Sequence, residues 1–574
     1  MKKKVLSVLL AATMVLSLAA CGEKAPSTST STPDSTEASV STEAPASTDV
    51  AAPEAPAEVE GMKDGKFVET RHISVEVYDR DGATPANDNV WTDWIKAQML
   101  EKYNVEVEFV AVPRWTEVDQ INNLLAAGTA PDICYTYDYP TIQTYATMGG
   151  VQDLAPVISQ YKDMLPNLFG WLGEENIYMD LDPVEGTLWC VEGRRNNIYR
   201  INTFVRADWL EKLGIAEPTT RAEFEAMLVA FRDNAETLLG ADADKMVPFS
   251  VSYDIGWRAA NLIESFMDPA ISDKDYYVNG YDDRKFTEPG TKEAVRVLNG
   301  WYNDGLIWKD FALYASGDTS EDDMIKAGYV GAFMHNYDYP FRNGADSINA
   351  VLGATYGEGA KFVAVDCFED KNGNYTKYSY SPAGDRKAFF PTTNDEPLAS
   401  MLYLDFISTQ STVEYLQKGE EGINHKVLDG GAIAIQAVDE ANVAYTQNSG
   451  NNIDLTMTTN GLRLATDELT NASLAYTYAN VDPADVVKAM TVAFRDHKVP
   501  ISVSVGEISA ETGVSNLTDK RDATFDNAVI AAPADFDSVW DAGMAEYLSA
   551  GGQDIMDERL AKWIAVYGDA LMLP

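Results

Sequence analysis

The residues best suited to chemistry in this chain are aromatic and polar side chains clustered where strands should end. Tyr78-Asp79, Pro113-Arg114-Trp115 and Tyr135-Thr136-Tyr137-Asp138-Tyr139 each follow a short apolar, alternating run. Aromatic faces stack on apolar C–H surfaces, while carboxylates, amides and guanidiniums bond hydroxyls, so such clusters suit the capture of a polar solute. Signatures of bond-breaking chemistry are missing. His72, His335, His425 and His497 are scattered without HExxH spacing, and no GxSxG elbow or P-loop Gly-Lys-Ser/Thr occurs. Carboxylates are so numerous that finding a pair at glycosidase spacing would carry no information.

The elements that must position these clusters can be read in order. His72–Tyr78 alternates as a strand, and a helix follows over about Val90–Tyr103, with Trp91, Trp94, Ile95 and Met99 at helical spacing. Val105–Val112 reads as a second strand, about Thr116–Ala127 as a helix, and Asp132–Tyr135 as a third strand. The β-α-β-α-β order predicts a parallel sheet with helices against it, and ligands in open sheets of this kind sit beyond the strands' carboxyl ends. A second block opens with the strand Phe204–Arg206. Asp208 is placed to cap a helix over Trp209–Leu213, and Thr220 with Glu223 forms a capping box for a helix from Arg221 to about Leu239. Strands are expected at Pro248–Val251 and Val330–Met334, a helix over about Thr291–Asn303, and a β-hairpin over 361–380 turning at Asn372-Gly373. Helices close the chain, at Pro397–Ser408 and over most of the last forty or so residues.

At the front, Lys2, Lys3 and Lys4 precede the apolar run Val5–Leu18, then Ala19, Ala20 and Cys21. That run has signal-peptide length and is too short for a permanent span. Residues 23 to about 60 are Ser, Thr, Pro, Ala and Glu with almost no large apolar side chain, the composition of a disordered tether. The remainder is long enough for two lobes with substantial cores. A formal net charge of −45 disfavours nucleic acid and anionic membrane surfaces as partners. Beyond Cys21 only Cys134, Cys190 and Cys367 remain, with no CxxC spacing, and they read as small buried hydrophobes.

Leu18-Ala19-Ala20-Cys21-Gly22 matches the bacterial lipobox. With Asn122–Ile133, Phe204–Leu228 and Pro391–Gly422 continuing through Ile423-Asn424-His425, the chain resembles the extracellular solute-binding proteins of bacterial ABC importers, the large carbohydrate-binding type. The resemblance implies an α/β, two-lobed periplasmic-binding-protein-like fold (type II), each lobe a sheet flanked by helices, with hinge crossovers between. It implies a signal peptide over 1–20, lipidation at Cys21 and a tether over 21–60. Lobe 1 would span 61–203 and lobe 2 204–387, with a return to lobe 1 over 388–428 and the rest of lobe 2 with closing helices over 429–574. The expected protein is a monomeric receptor, not an enzyme, tethered by lipid to the outer face of the cytoplasmic membrane. It would pass a sugar or oligosaccharide to separate permease subunits. A peptide or other polar solute in the same kind of receptor, and a surface glycan-active enzyme, are the alternatives. The expected ligand contacts are Tyr78, Asp79, Trp115, Tyr137 and Asp138 from lobe 1, and Trp189, Arg206, Tyr253, Trp257, Asn336 and Tyr337 from lobe 2 or the hinge. The calcium loop of many relatives is missing near Ala230–Asp244. Asp370, Asn372 and Asn374 have one-three-five spacing, but Tyr375 and Ser381 replace the glycine and glutamate of an EF-hand loop, so no metal or cofactor is expected.

Overall fold

A computed structural model describes residues 59, 61–80, 85–252, 254–314, 318–435, 451–512, 514 and 516–573. The signal, Cys21 and most of the tether lie outside the described residues, as does Tyr253.

Strand β1 (Arg71–Asp79) leads through helix α1 (Val90–Tyr103) to β2 (Val105–Pro113), then through α2 (Glu117–Ala127) to β3 (Cys134–Thr136) and α3 (Tyr139–Thr147). Local chemistry sets these boundaries. Asn89 and Thr92 form a capping box at the start of α1, and Asn104, at φ 59°, ends it in the left-handed region that asparagine tolerates. β1 and β2 pair in parallel from Arg71–Val105 to Asp79–Pro113, and Val75 bridges in parallel to Ile133 beside β3.

The chain then crosses over as β4 (Val191–Glu192) and β5 (Arg194–Arg195) into β6 (Ile201–Arg206), α4 (Ala207–Leu213) and α5 (Arg221–Asp233). After β7 (Val247–Ser250), α6 (Ile255–Arg258) and α7 (Thr291–Asn303) come β8 (Val330–Asn336) and β9 (Phe362–Val365). The sheet order is β9-β6-β8-β7, with β7 and β8 parallel and β6 antiparallel to both β8 and β9. β10 (Lys377–Tyr378) and β11 (Lys387–Phe389) return the chain to the first lobe, where β11 lies between β3 and β4 and α8 (Pro397–Ser408) follows. Eleven of the twelve residues of α8 are buried, which makes it the first lobe's central helix. After the short β12 (Thr459–Asn460), α9 (Pro483–Phe494), β13 (His497–Lys498) and the helices α10 (Leu517–Ile530), α11 (Phe536–Tyr547) and α12 (Gln553–Tyr567) complete the second lobe.

Two hydrophobic cores result. One gathers Ile73, Val75, Ile95, Met401 and Tyr403; the other gathers Phe204, Phe231, Phe249, Trp301, Phe333 and Phe525. Leu455 and Met457 belong to the first core, so the final passage enters lobe 1 again later than residue 429, the expected boundary.

Three local expectations need correction. Helix α5 ends at Asp233, because the Asn234 amide donates to the Ala230 carbonyl and leaves the helical region; a separate short helix, Ala235–Leu239, follows. Asp208 does not cap α4: Arg206 holds the N-cap position and takes both Asp208 oxygens at 2.8 Å. Asn372-Gly373 does form a turn, yet β9 pairs with β6 and β10 with β13, so no hairpin spans 361–380. Asp370 accepts from the amides of Asn372 and Asn374 and from the Thr376 hydroxyl, so its oxygens serve the turn itself. Cys134, Cys190 and Cys367 are free and buried.

Candidate functional site

Strand register shows where the two sheets face. In lobe 1, Asp79 and Pro113 end side by side, and Lys387 of the antiparallel β11 lies opposite Thr136, so Asp385 and Arg386 emerge at those same carboxyl ends. In lobe 2, Asn336 at the end of β8 lies opposite Ile201, so Arg200 and the residues before it emerge there. The segments 192–201 and 379–387 therefore join the carboxyl ends of both sheets, the position of ligands in such sheets. They are bonded to each other, Gly193 N to Arg386 O at 2.6 Å, Arg195 N to Pro382 O at 2.9 Å and Tyr380 N to Ile198 O at 3.0 Å. A third segment joins through β12, parallel to β5. A Cβ on Gly193 would stand 2.6 Å from the Met457 carbonyl, so glycine is what lets the three segments pack.

On the lobe 1 face, the Arg114 guanidinium lies 4.8 Å from the ring centre of Tyr137, 5.0 Å from Tyr78 and 5.5 Å from Trp115. Glu117 holds it at 2.6 Å and accepts from the Thr136 hydroxyl with its other oxygen. Arg80 lies 5.7 Å from the Tyr78 ring and is clamped by the fully buried Asp454 at 2.7 and 2.9 Å. Tyr78 itself is buried, its hydroxyl donating to the Tyr135 carbonyl, so it supports this cluster from beneath and does not meet solvent, contrary to expectation. Trp115 is 69% exposed at the end of β2, Tyr137 and Asp79 are half-buried, and Asp138 caps α3 through the amide and hydroxyl of Thr141.

On the lobe 2 face, Trp257 has Arg200 at 4.9 Å and Arg284 at 5.0 Å from its ring centre. Glu264 holds Arg200 at 2.5 Å, and Asp254, which caps α6, holds Arg284 at 2.7 Å. Asn336 accepts from the Tyr380 hydroxyl at 3.1 Å, and the Arg195 guanidinium sits 4.0 Å above the Tyr380 ring while pairing with Asp385 at 2.7 Å. Tyr337 is buried, its hydroxyl accepting from Asn197 at 2.7 Å and bonding the Tyr478 hydroxyl at 3.0 Å. It fixes the hinge segment to the end of β8 and presents no open ring.

The floor between the faces is continuous. Lys387 reaches the Tyr137 carbonyl at 3.4 Å, Glu192 at 3.0 Å and the Asp385 carbonyl at 2.9 Å, and Asp385 leads through Arg195 to Tyr380, Asn336 and Trp257.

Two expected contacts lie elsewhere. Arg206 stands at the opposite end of the lobe 2 sheet, bonded to the Gly328 carbonyl and Asp208; five strand residues separate it from the level of Asn336, about 17 Å. Trp189 is half-buried against a small cluster with Cys134, Cys190 and Phe389, where it packs. Arg80, Arg114, Arg195, Arg200, Arg284 and Tyr380 were not among the expected contacts. Arg80 and Arg114 directly adjoin expected residues and were legible; Arg284 and Tyr380 come from irregular segments with no periodic signal.

Residues 93–416 match the family of bacterial extracellular solute-binding proteins, more than half of the chain. Lipoprotein LipO of Bacillus subtilis is 26% identical over 240 residues, 41% of this chain and 45% of that protein. The polygalacturonan/rhamnogalacturonan-binding protein YtcQ of the same organism is 22% identical over 235 residues, 41% and 44%. The matched stretches thus span under half the length of these curated relatives. Among solved structures, alginate-binding protein AlgQ2 superposes with a TM-score of 0.61 at 15% identity, covering 88% of this chain and 100% of that one. The S. pneumoniae substrate-binding protein FusA, in complex with kestose, gives 0.59 at 14% identity, covering 87% and 100%. These neighbours share the two-lobed type II fold, and family and neighbours alike are binding proteins and not enzymes. With two sheets whose carboxyl ends meet across a three-segment hinge, the chain belongs to the bacterial extracellular solute-binding protein family.

Proposed function

We propose that this protein is the lipid-anchored receptor of an ABC importer and binds an oligosaccharide in the cleft between its lobes. The observation that carries this reading is Trp115, a largely exposed indole at the carboxyl end of a lobe 1 strand, beside arginines that are each held by a carboxylate. An exposed aromatic face stacks on sugar C–H surfaces, and paired arginine and carboxylate groups donate to and accept from hydroxyls. Among the relatives, YtcQ binds polygalacturonan, AlgQ2 binds alginate and FusA is seen with kestose, which together span acidic and neutral sugars. Asp79, Trp115, Tyr137, Asp138, Trp257 and Asn336 are the proposed contacts, joined by Arg80, Arg114, Arg195 and Tyr380. Tyr253 stays in the set from its sequence position alone. Cys21 is the proposed lipid site, and the receptor acts as a monomer that hands its ligand to separate permease subunits. Closure follows because ligand touching both lobes shifts the population toward the closed form by its differential affinity.

The test is a thermal-shift screen with neutral and uronate oligosaccharides of increasing length. A ligand at a thousandfold excess over its Kd stabilises by about 4 kcal/mol. A shift with peptides and none with sugars would redirect the assignment, and new reducing ends would make the protein an enzyme.

A further inference from the structure

A separate pair of arginines meets on the other side of the hinge strand. Arg194 and Arg195 are adjacent in β5, and adjacent strand residues point to opposite faces. Arg195 turns to Tyr380 and Asp385 in the cleft floor, whereas Arg194 is exposed and lies 5.3 Å from the ring centre of Trp171. On the same indole, 3.7 Å from its centre, sits Arg463. Trp171 is fixed by its own N–H, which donates to the Thr458 carbonyl at 2.9 Å.

Everywhere in the cleft an arginine has its carboxylate: Arg80 with Asp454, Arg114 with Glu117, Arg195 with Asp385, Arg200 with Glu264. Arg194 and Arg463 have none among the described residues. Their bonds go to backbone carbonyls, Arg194 to Trp171 at 3.4 Å and Arg463 to Ser408 at 2.9 Å. Glu414 is the carboxylate whose field reaches Arg463, but its oxygens accept from Lys418 and Gln410 at 2.8 and 2.9 Å. Burial, reinforced by the like charge of Arg194, pushes the Arg463 guanidinium down to about 10. A guanidinium carries five N–H donors, so most remain unspent here. Two adjoining guanidiniums on one aromatic plate, bonded by no carboxylate among the described residues of a chain of net charge −45, are anomalous. A half-buried cation left without a counter-ion is costly, and an anion would relieve it.

We propose that Arg194 and Arg463, seated on Trp171, form a binding site for an oxyanion group at the hinge face opposite the sugar cleft. Guanidinium forks match phosphate, sulfate and carboxylate oxygens. The group arrives either as a free inorganic ion or as the carboxylate of an acidic sugar. This site does not rest on the cleft reading, since it shares no side chain with it.

The experiment is calorimetric titration of the purified full-length protein with sodium phosphate, sodium sulfate and sodium galacturonate, each against sodium chloride at matched ionic strength. Saturable binding of at least one oxyanion is expected in the wild type. It should weaken about tenfold in Arg194→Gln, the loss of one charge-assisted donor set. Arg194 is exposed, so this variant keeps the fold; Arg463→Lys, which keeps the charge and loses the fork, should also weaken binding. Response to the inorganic ions identifies a free ion, and response to galacturonate alone identifies a sugar carboxylate, provided each depends on Arg194. Binding that is equal in wild type and Arg194→Gln belongs to another site and overturns the proposal, as does no binding beyond chloride.

Discussion

Replacing Trp115 with alanine tests the cleft directly. An indole side chain offers up to roughly 250 Å² of surface. At 69% exposure, about 170 Å² of it is open to solvent before ligand arrives. A sugar ring stacked on one face covers about half, on the order of 80 Å², and at about 25 cal/mol/Å² that contact contributes about 2 kcal/mol, or roughly thirtyfold in Kd. Stability should barely change, within about 0.5 kcal/mol, because so exposed a side chain supports little of the fold. The assay is calorimetric titration of wild type and Trp115→Ala with the best oligosaccharide from the thermal-shift screen, alongside urea unfolding of both. Unchanged affinity with unchanged stability would remove Trp115 from the site and with it the observation on which the sugar reading stands.

Asp454→Asn should destabilise the protein by about 3–5 kcal/mol in urea unfolding, because the change leaves Arg80 and Arg386 beside a buried neutral amide; a loss under about 1 kcal/mol would refute that role. Gly193→Ala should cost roughly 1–3 kcal/mol, since its Cβ meets backbone carbonyls of Met457 and Arg386 at 2.6 and 3.2 Å that cannot swing away; wild-type stability would show the hinge segments can part. Asp526 is pushed up to about 7 by burial and then by Asp522 and Asp254, across from the Asp254–Arg284 pair. The folded chain thus keeps a proton that the unfolded chain releases near pH 4, so this contribution is full below about pH 4 and is lost as pH rises toward 7. Asp526→Asn should therefore raise the melting temperature relative to wild type at pH 8 and much less at pH 4.5; a pH-independent difference would contradict the assignment.

The first lobe's strands and helices were legible because their boundaries rest on local chemistry. Alternation gave β1 and β2, and in the second lobe the Thr220–Glu223 box gave the start of α5, where the side chain itself supplies the missing acceptor. Failures arose where a side chain had competing partners. Asp208 is a reasonable cap until Arg206 takes both its oxygens, and Asn234 looks helical until its amide bonds the Ala230 carbonyl. The expected hairpin failed for a different reason: the turn residues are right, but β9 finds its partner in β6, over 150 residues away in sequence. Among site residues, position in sequence marked the strand ends correctly but not which way they face. Tyr78 and Trp115 both stand at carboxyl ends, and only packing makes one a foundation and the other open to solvent. Arg206 shows the limit most sharply, since an antiparallel strand in a mixed sheet puts its carboxyl end away from the cleft.

The arrangement of charge would let so acidic a chain take the proposed sugar with arginines. A bare guanidinium facing the cleft would select anions, and a bare carboxylate would select cations. Joined, as in Arg80–Asp454 or Arg195–Asp385, the pair has little net field but keeps N–H donors and carboxylate oxygens fixed in place beside tyrosine rings. Hydroxyls, which both donate and accept, complement such a neutral pair better than any ion does. The cost of ordering these long side chains is met at folding, because Asp454 and Asp385 are already buried, so the proposed ligand would meet a preorganised surface. The pair on Trp171 inverts that logic: among the described residues no carboxylate bonds it, and what would complement it is an oxyanion. On the proposed reading the two faces of β5 divide the chemistry, Arg195 serving hydroxyls on one side and Arg194 serving charge on the other.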